Sequence, residues 1–360
     1  MAYTTIDDPT IYFNTILYTG DGSTSNAITG LDFSPNWVWI KRRNNANPHF
    51  LNDSVRGATK DLTSDDTDAE TTNNQYGILK SFDSNGFTVS VGSTNGARAN
   101  TSGGTFVSWN WKAGTSFSND ASATSVGTID STGSINTTAG FSIISYTGTG
   151  SAGTIAHGLG AVPTWYFIKQ RNTTGGWIVY HKGNTSSPET DYLRLDKNDT
   201  TVDDAIFNDT APTSSVFSIG TNAPVNTNGG TYIAYCFADV KGYSKFGGYT
   251  GNGNADGTFV YTGFKPAWLI IKKTADVAES WFHYDNKRED HAGNDRYYAL
   301  RPDKTSAENT TYGDNWQLDF LSNGFKLRTT AGHLNNGSFI YMCFAESPFT
   351  NSNGIPNNAE

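Results

Sequence analysis

The chain has 360 residues, 36% of them hydrophobic, long enough to bury several cores. Its 38 glycines and 13% aromatic residues favour strands and tight turns, and few apolar residues recur at a helical period. The net charge is −9 with no basic stripe, so no nucleic acid is expected as partner; no apolar run reaches membrane-spanning length, so no membrane insertion is expected.

Residues 1–10 read as a short polar arm without the charged and apolar segments of a signal peptide. Ile11 to Tyr18 is a strand by its β-branched and aromatic content, and Tyr18-Thr19-Gly20-Asp21-Gly22 closes it, with Gly20 and Gly22 expected to take positive φ. The strand from Pro35 to Lys41 is apolar on both faces, Trp37 and Trp39 on one and Val38 and Ile40 on the other. Such a strand is central in a sandwich or lies under an inter-domain contact. Residues 61–75 form an acidic loop whose oxygens suit calcium, but the spacing is not that of an EF-hand, and a solvated loop is the plainer reading.

The same pattern returns twice. Tyr146-Thr147-Gly148-Thr149-Gly150 leads to Trp165, and Tyr249-Thr250-Gly251-Asn252-Gly253 leads to Trp268, with Tyr and Trp 19 positions apart in every copy. Constant length with variable content marks one structural unit used three times. Further columns are Leu62…Glu70, Leu195…Asp203 and Leu300…Glu308, and Ser84-Asn85-Gly86-Phe87 with Ser322-Asn323-Gly324-Phe325, the middle unit keeping only Val216-Phe217. Units fall at 11–114, 139–240 and 242–348, with a linker at 115–138 and a coil tail at 349–360. Part of the linker has the makings of an edge strand for unit 2. The join 238–243 is so short that units 2 and 3 read as a rigid pair, whereas the linker leaves unit 1 room to swing.

Each unit ends on an alternating strand: Val107, Trp109 and Trp111 share one face, as do Ile233, Tyr235 and Phe237, and Ile340, Met342 and Phe344. Ser108 and Asn110 opposite suggest a wetter side. Many short strands without helical crossovers make the fold class all-β: three tandem antiparallel β-sandwich units of jelly-roll or lectin-like kind. Cys236 and Cys343 occupy one column of two units and are expected to be free, reduced thiols.

Signals of chemistry are sparse. Gly148-Thr149-Gly150-Ser151-Ala152-Gly153 matches the dinucleotide fingerprint, but no helix follows, so the match is accidental and no cofactor is expected. Six histidines, His49, His157, His181, His283, His291 and His333, show no metal-ligand spacing, and no nucleophile elbow is present. No catalytic residue stands out. Tyr18, Gly20, Gly22, Trp37 and their equivalents Tyr146, Gly148, Gly150, Trp165, Tyr249, Gly251, Gly253 and Trp268 build the fold. Residues unique to one unit are the better candidates for recognition: Trp177, Tyr180 and His181, or Trp281, His283 and Tyr284, although core packing is the commoner role for such aromatics.

Together Tyr-Thr-Gly-x-Gly, Pro-x-Trp-x-x-Ile-Lys, Ser-Asn-Gly-Phe and Tyr232-Ile233-Ala234-Tyr235-Cys236-Phe237-Ala238 resemble an uncharacterised repeat family of structural proteins in tailed bacteriophages of marine bacteria. Gly242 to Gly247 and Gly263 to Trp268 are especially similar. The resemblance implies a non-enzymatic virion protein assembled in the host cytoplasm: a tail fibre or spike-type appendage, or a capsid decoration. Other virion proteins are its implied partners, and a host surface polysaccharide is a possible one. A carbohydrate-active enzyme or lectin is the alternative of another class. The expected shape is a squat rod of stacked sandwiches, and strands apolar on both faces suggest a homotrimer. Unit 1 or the arm would attach it, leaving the loops of units 2 and 3 for any receptor.

Overall fold

The computed structural model describes residues 3–72, 74–289, 293–311 and 315–357. The fold is all-β, and the three α-helices among the described residues, Ala121–Thr124, Ala223–Asn226 and Gly332–Asn335, are one turn each. Each unit pairs an inner sheet with a smaller outer one. In unit 1 the inner order is Phe13–Thr19, Thr105–Trp111, Trp37–Arg42, Phe50–Asp53, and the outer order is Asn26–Thr29, Gly86–Ser90, Ile78–Asp83. Unit 3 repeats this with Ser244–Asn252, Asn336–Pro348, Phe264–Lys273 and Phe282–Asp285 inside, and Phe259–Tyr261, Gly324–Leu327, Leu318–Leu321 and Asp295–Arg296 outside. The Trp strands are equivalent in register: Trp37 faces Trp111, Trp165 faces Phe237, and Trp268 faces Phe344.

The segment 115–138 is not slack. Thr115–Asn119 and Ser131–Asn136 pair with each other, and the second pairs with Phe141–Thr147, extending the inner sheet of unit 2 to eight strands. The arm is also docked: Tyr3 Oη donates to Gly263 O at 2.8 Å, and Thr4 Oγ1 donates to Lys241 O at 2.8 Å. In the tail, Ser352 N donates to the Asp7 carboxylate at 2.7 Å.

The two-faced strands have two cores to serve. Val38, Ile40 and Phe106 join Phe87 and Val89 inside unit 1; Tyr166, Ile168, Ala234 and Cys236 pack inside unit 2; Leu269, Ile271 and Cys343 pack inside unit 3. The opposite faces of all three inner sheets meet in one shared core. There Trp37 stacks on Tyr235 at 4.8 Å, Trp111 meets Trp268 edge-on at 5.4 Å, and Phe237 meets Phe344 edge-on at 6.0 Å. A buried Trp removes about 150–250 Å² from water, worth roughly 4–6 kcal/mol as an upper value. The units therefore close around a common centre instead of stacking as a rod, and unit 1 is locked into the body. The expected wetter side is absent too. Ser108 and Asn110 are fully buried, with Asn110 Nδ2 donating to Asn14 O at 3.0 Å.

Candidate functional site

The repeat positions are structural, and each for a stated reason. Tyr18, Tyr146 and Tyr249 stack on Phe106, Tyr232 and Phe339 at 5.0, 5.0 and 4.9 Å. Their hydroxyls donate to Ala99 O, Val225 O and Leu334 O at 2.7–2.8 Å. Gly22, Gly150 and Gly253 take φ of +73°, +74° and +67°. Gly20 does not share that conformation: a Cβ there would lie 2.3 Å from Thr101 O, so close backbone approach is what demands glycine. Missed in the sequence is the residue that organises this turn. Asn100, Asn226 and Asn335, all fully buried, accept from Asp21 N, Thr149 N and Asn252 N at 3.1, 2.8 and 3.2 Å. Asn226 thus occupies the amides that a phosphate would need, which is a physical reason the glycine fingerprint is accidental.

Trp177 and Trp281 are equivalent to each other and to His49: Trp177 pairs with Lys169, and one residue beyond the paired strands the same registers set Trp281 against Lys272 and His49 against Lys41. Each is turned to a neighbouring unit. Trp39 Nε1 donates to His49 Nδ1, so the His49 Nε2 hydrogen goes to Arg301 O in unit 3 at 3.0 Å. Trp177 Nε1 donates to Thr63 O in unit 1 at 2.7 Å, and Trp281 Nε1 to Arg194 O in unit 2 at 2.8 Å. The three lysines obey the same cycle: Lys41 Nζ donates to Thr305 O, Lys169 Nζ to Thr67 O, and Lys272 Nζ to Asn198 O, at 2.9–3.0 Å. Burial lowers each ammonium to about 8. Unit 1 reaches onto unit 3, unit 3 onto unit 2, and unit 2 onto unit 1. This is a heterologous contact that closes after three steps, as in a ring of identical subunits.

Two seams carry buried charge. At one, Asp53 pairs with Arg56, which also meets Glu70, and Arg171 of unit 2 binds Glu70 at 2.9 Å. At another, Asp285, Arg288 and Glu308 repeat the set, and Arg43 of unit 1 binds Glu308 at 2.8 Å. In the third seam the place of the glutamate is neutral: Thr201 Oγ1 donates to Asn184 Oδ1 at 2.6 Å, and Thr201 N donates to Thr274 O at 2.9 Å. Glu70 N and Glu308 N donate likewise to Arg171 O and Arg43 O. The true column is therefore Leu62, Leu193 and Leu300, with Glu70, Thr201 and Glu308 beyond. In unit 2 the alignment on Leu195 and Asp203 is displaced by two residues.

His181 belongs to the column of Asp53 and Asp285, opposite Trp165. Gly183 N donates to its Nδ1, so Nε2 donates to Tyr341 O in unit 3 at 3.1 Å, and burial lowers it to about 4. His157 is held the same way by Leu159 N and Thr213 O. His283 lies buried 3.7 Å from Trp109, and Tyr180 and Tyr284 sit in the cores of their units. His333 stacks on Phe282; His291 lies outside the described residues.

Among the described residues, two of the concavities gather polar side chains and are candidate sites. A groove of about 600 Å³ in unit 2 is lined by Asp130, Ser131, Thr132, Ser145, Thr147 and Thr149. Its single carboxylate, Asp130, accepts from Ala121 N at 2.8 Å. A cleft of about 170 Å³ in unit 1 holds Asp61, Asp66, Asp68, Tyr76 and Arg98 of the acidic loop and its surroundings. Asp61 pairs with Arg98 at 2.8 Å, and burial raises it to about 6. Asp66 accepts from Asp68 N, and Asp65, outside the cleft, accepts from His49 N. Among the described residues no three His, Cys, Asp or Glu side chains gather as a metal site, and no helix is long and apolar enough to cross a membrane.

These features define a single-chain ring of three β-sandwiches whose seams are held by buried polar groups, the His49, His181, Asp53–Arg56 and Asp285–Arg288 contacts among them. The chain belongs to the family described as a domain of unknown function, DUF7483, whose model matches residues 8–348 and so takes in all three units at once. No curated protein matches it.

Proposed function

We propose that the protein is a non-catalytic structural component of a bacteriophage particle, an appendage of tail fibre or spike type that contacts the host surface. The motifs that resemble phage structural repeats support this reading. One structural observation carries it: His49, His181, Asp53, Asp285, Arg56 and Arg288, the groups most suited to chemistry, are buried and engaged in holding the units together. Catalysis needs such groups within reach of a substrate. Gold-labelled antibody against the chain, applied to purified particles, should decorate the tail. Label on the head alone would make it a capsid decoration, and no label would end the virion reading. New reducing ends on incubation with host polysaccharide would restore the enzyme alternative.

A further inference from the structure

The three units provide an internal comparison that singles out one surface. At the edge of each outer sheet a short strand buries one apolar residue opposite a Phe: Ile28 opposite Phe87, Ile155 opposite Phe217, Val260 opposite Phe325. Neighbours of that residue point to the other face. They are Ala27 and Thr29 in unit 1, so the fold requires nothing large there; in unit 2 the equivalent Thr154 and Ala156 are small and lie under residues 128–131. In unit 3 they are Phe259 and Tyr261, 44% and 47% exposed. Two aromatic rings presented to solvent where the fold needs none mark a contact surface.

Both rings are held in place. Phe259 lies over Gly324, where a Cβ would stand 3.1 Å from its Cε2. Tyr3 gives its hydroxyl hydrogen to Gly263 O, so the Tyr261 hydroxyl donates to Tyr3 Oη at 3.1 Å. Lys245 Nζ sits 5.3 Å from the centre of the Tyr261 ring, and Lys241 Nζ sits 4.4 Å from that of Tyr3. Neither lysine forms a salt bridge with a described residue. On a chain of net charge −9 these two lysines bring two ammonium groups to the aromatic face.

We propose that Phe259 and Tyr261, flanked by Tyr3, Lys241 and Lys245, form a binding platform for an acidic polysaccharide strand. Residues i and i+2 on a strand stand about 6.7 Å apart on one face, which sets two rings side by side for consecutive sugars. The apolar faces of pyranose rings pack on the aromatics, and a uronate carboxylate meets the ammonium groups. An added peptide strand fits less well, because Lys245 Nζ already caps Tyr261 O at 2.8 Å. A protein partner also fits less well, since lysine is depleted from the cores of protein interfaces. The inference deepens the host-contact reading above and rests on it only for the source of the sugar.

The test is calorimetric titration of the purified full chain with polygalacturonate, with dextran as neutral sugar and polyglutamate as non-sugar polyanion. Polygalacturonate should bind, and F259A/Y261T, which restores the unit 1 pattern, should weaken binding about tenfold or more with an unchanged melting temperature. K245Q should reduce the salt dependence of binding. Silence with polygalacturonate, equal affinity in the double variant, or polyglutamate binding as tightly would overturn the platform. Dextran binding as tightly as polygalacturonate would overturn the acidic class of ligand. Labelled particles together with a silent titration would remove the platform and leave the structural role standing.

Discussion

Tyr235 of unit 2 donates its hydroxyl hydrogen to the Asp53 carboxylate of unit 1 at 2.6 Å, beside the fully buried Arg56. In the next seam Trp109 of unit 1 donates to Asp285 of unit 3 at 2.9 Å, beside the fully buried Arg288. One geometry therefore serves two seams with different donors.

Seam chemistry should set the cost of mutation. Glu70→Ala strips Arg56 and Arg171 of a carboxylate and is expected to cost roughly 3–5 kcal/mol, as is Glu308→Ala. Thr201→Ala, at the equivalent place in the third seam, should cost about 1 kcal/mol, because it removes one neutral hydrogen bond. Urea unfolding of the three variants checks the order, and equal losses would show that the seams are not distinguished by charge.

Two glycines near one turn should respond differently. A Cβ on Gly148 would meet Thr227 O at 2.4 Å, whereas Gly229, at φ +72°, has no atom within 4 Å of its would-be Cβ. Gly229→Ala should lose about 1 kcal/mol to backbone strain. Gly148→Ala must move the backbone of the turn and should lose clearly more; a melting temperature equal to that of Gly229→Ala would refute the close-approach argument.

The first unit and the other two announced themselves in sequence through the Tyr-to-Trp spacing and the two-faced Trp strand, because burial on both sides leaves no polar alternation. The rest was hidden for physical reasons. Leu193 and Leu195 both reach the shared core, so sliding the column by two residues preserves the alternation. Ser108 and Asn110 look like a solvent face, yet both are buried, and Asn110 Nδ2 donates to the backbone oxygens of Asn14 and Ser108. Asn100, Asn226 and Asn335 sit in segments of different wording, and only their shared contact with the Tyr-Thr-Gly turn groups them. As for Trp177 and Trp281, they proved to be one repeat column, and the site in the cleft of Asp61 was visible only as acidity.

Acid should expose the histidine seam. The unfolded His181 titrates near 6.5 and the folded one near 4, so between those values the unfolded state holds more protons and stability falls as pH falls. The contribution is intact above pH 6.5, and the loss reaches on the order of 3 kcal/mol by pH 4. Asp61 and Asp65, raised to about 6, act with the opposite sign, so the comparison must be between wild type and His181→Gln. The variant's stability deficit should shrink on going from pH 7.5 to pH 4.5; a constant deficit would deny that this imidazole is buried neutral.

Both cysteines are free and fully buried, and burial pushes both thiols up. A thiol reagent should find almost no reaction in the native protein and two thiols after denaturation without reductant. Rapid native labelling of either residue would contradict its place in the unit core.

The homotrimer expected from sequence rested on apolar faces in need of cover, and the chain covers them itself. Light scattering should give a mass near 39.0 kDa. Residues 139–240 expressed alone should aggregate or remain unfolded, since Trp165, Phe167 and Phe237 would face water. A stable, soluble single unit would show that the shared core is dispensable.

Closure within one chain has a consequence for how the surface can diversify. In a ring of identical subunits any substitution appears three times, so a change that suits one position must be tolerated at all of them. Here the copies are separate stretches of one gene product, and each can drift alone. The neutral Asn184–Thr201 contact is one result of that independence, and a lone aromatic pair at Phe259 and Tyr261 is another. An engineer seeking a new specificity could therefore rewrite one edge strand, Asn26–Thr29 for instance, while the other two thirds of the ring stay as they are.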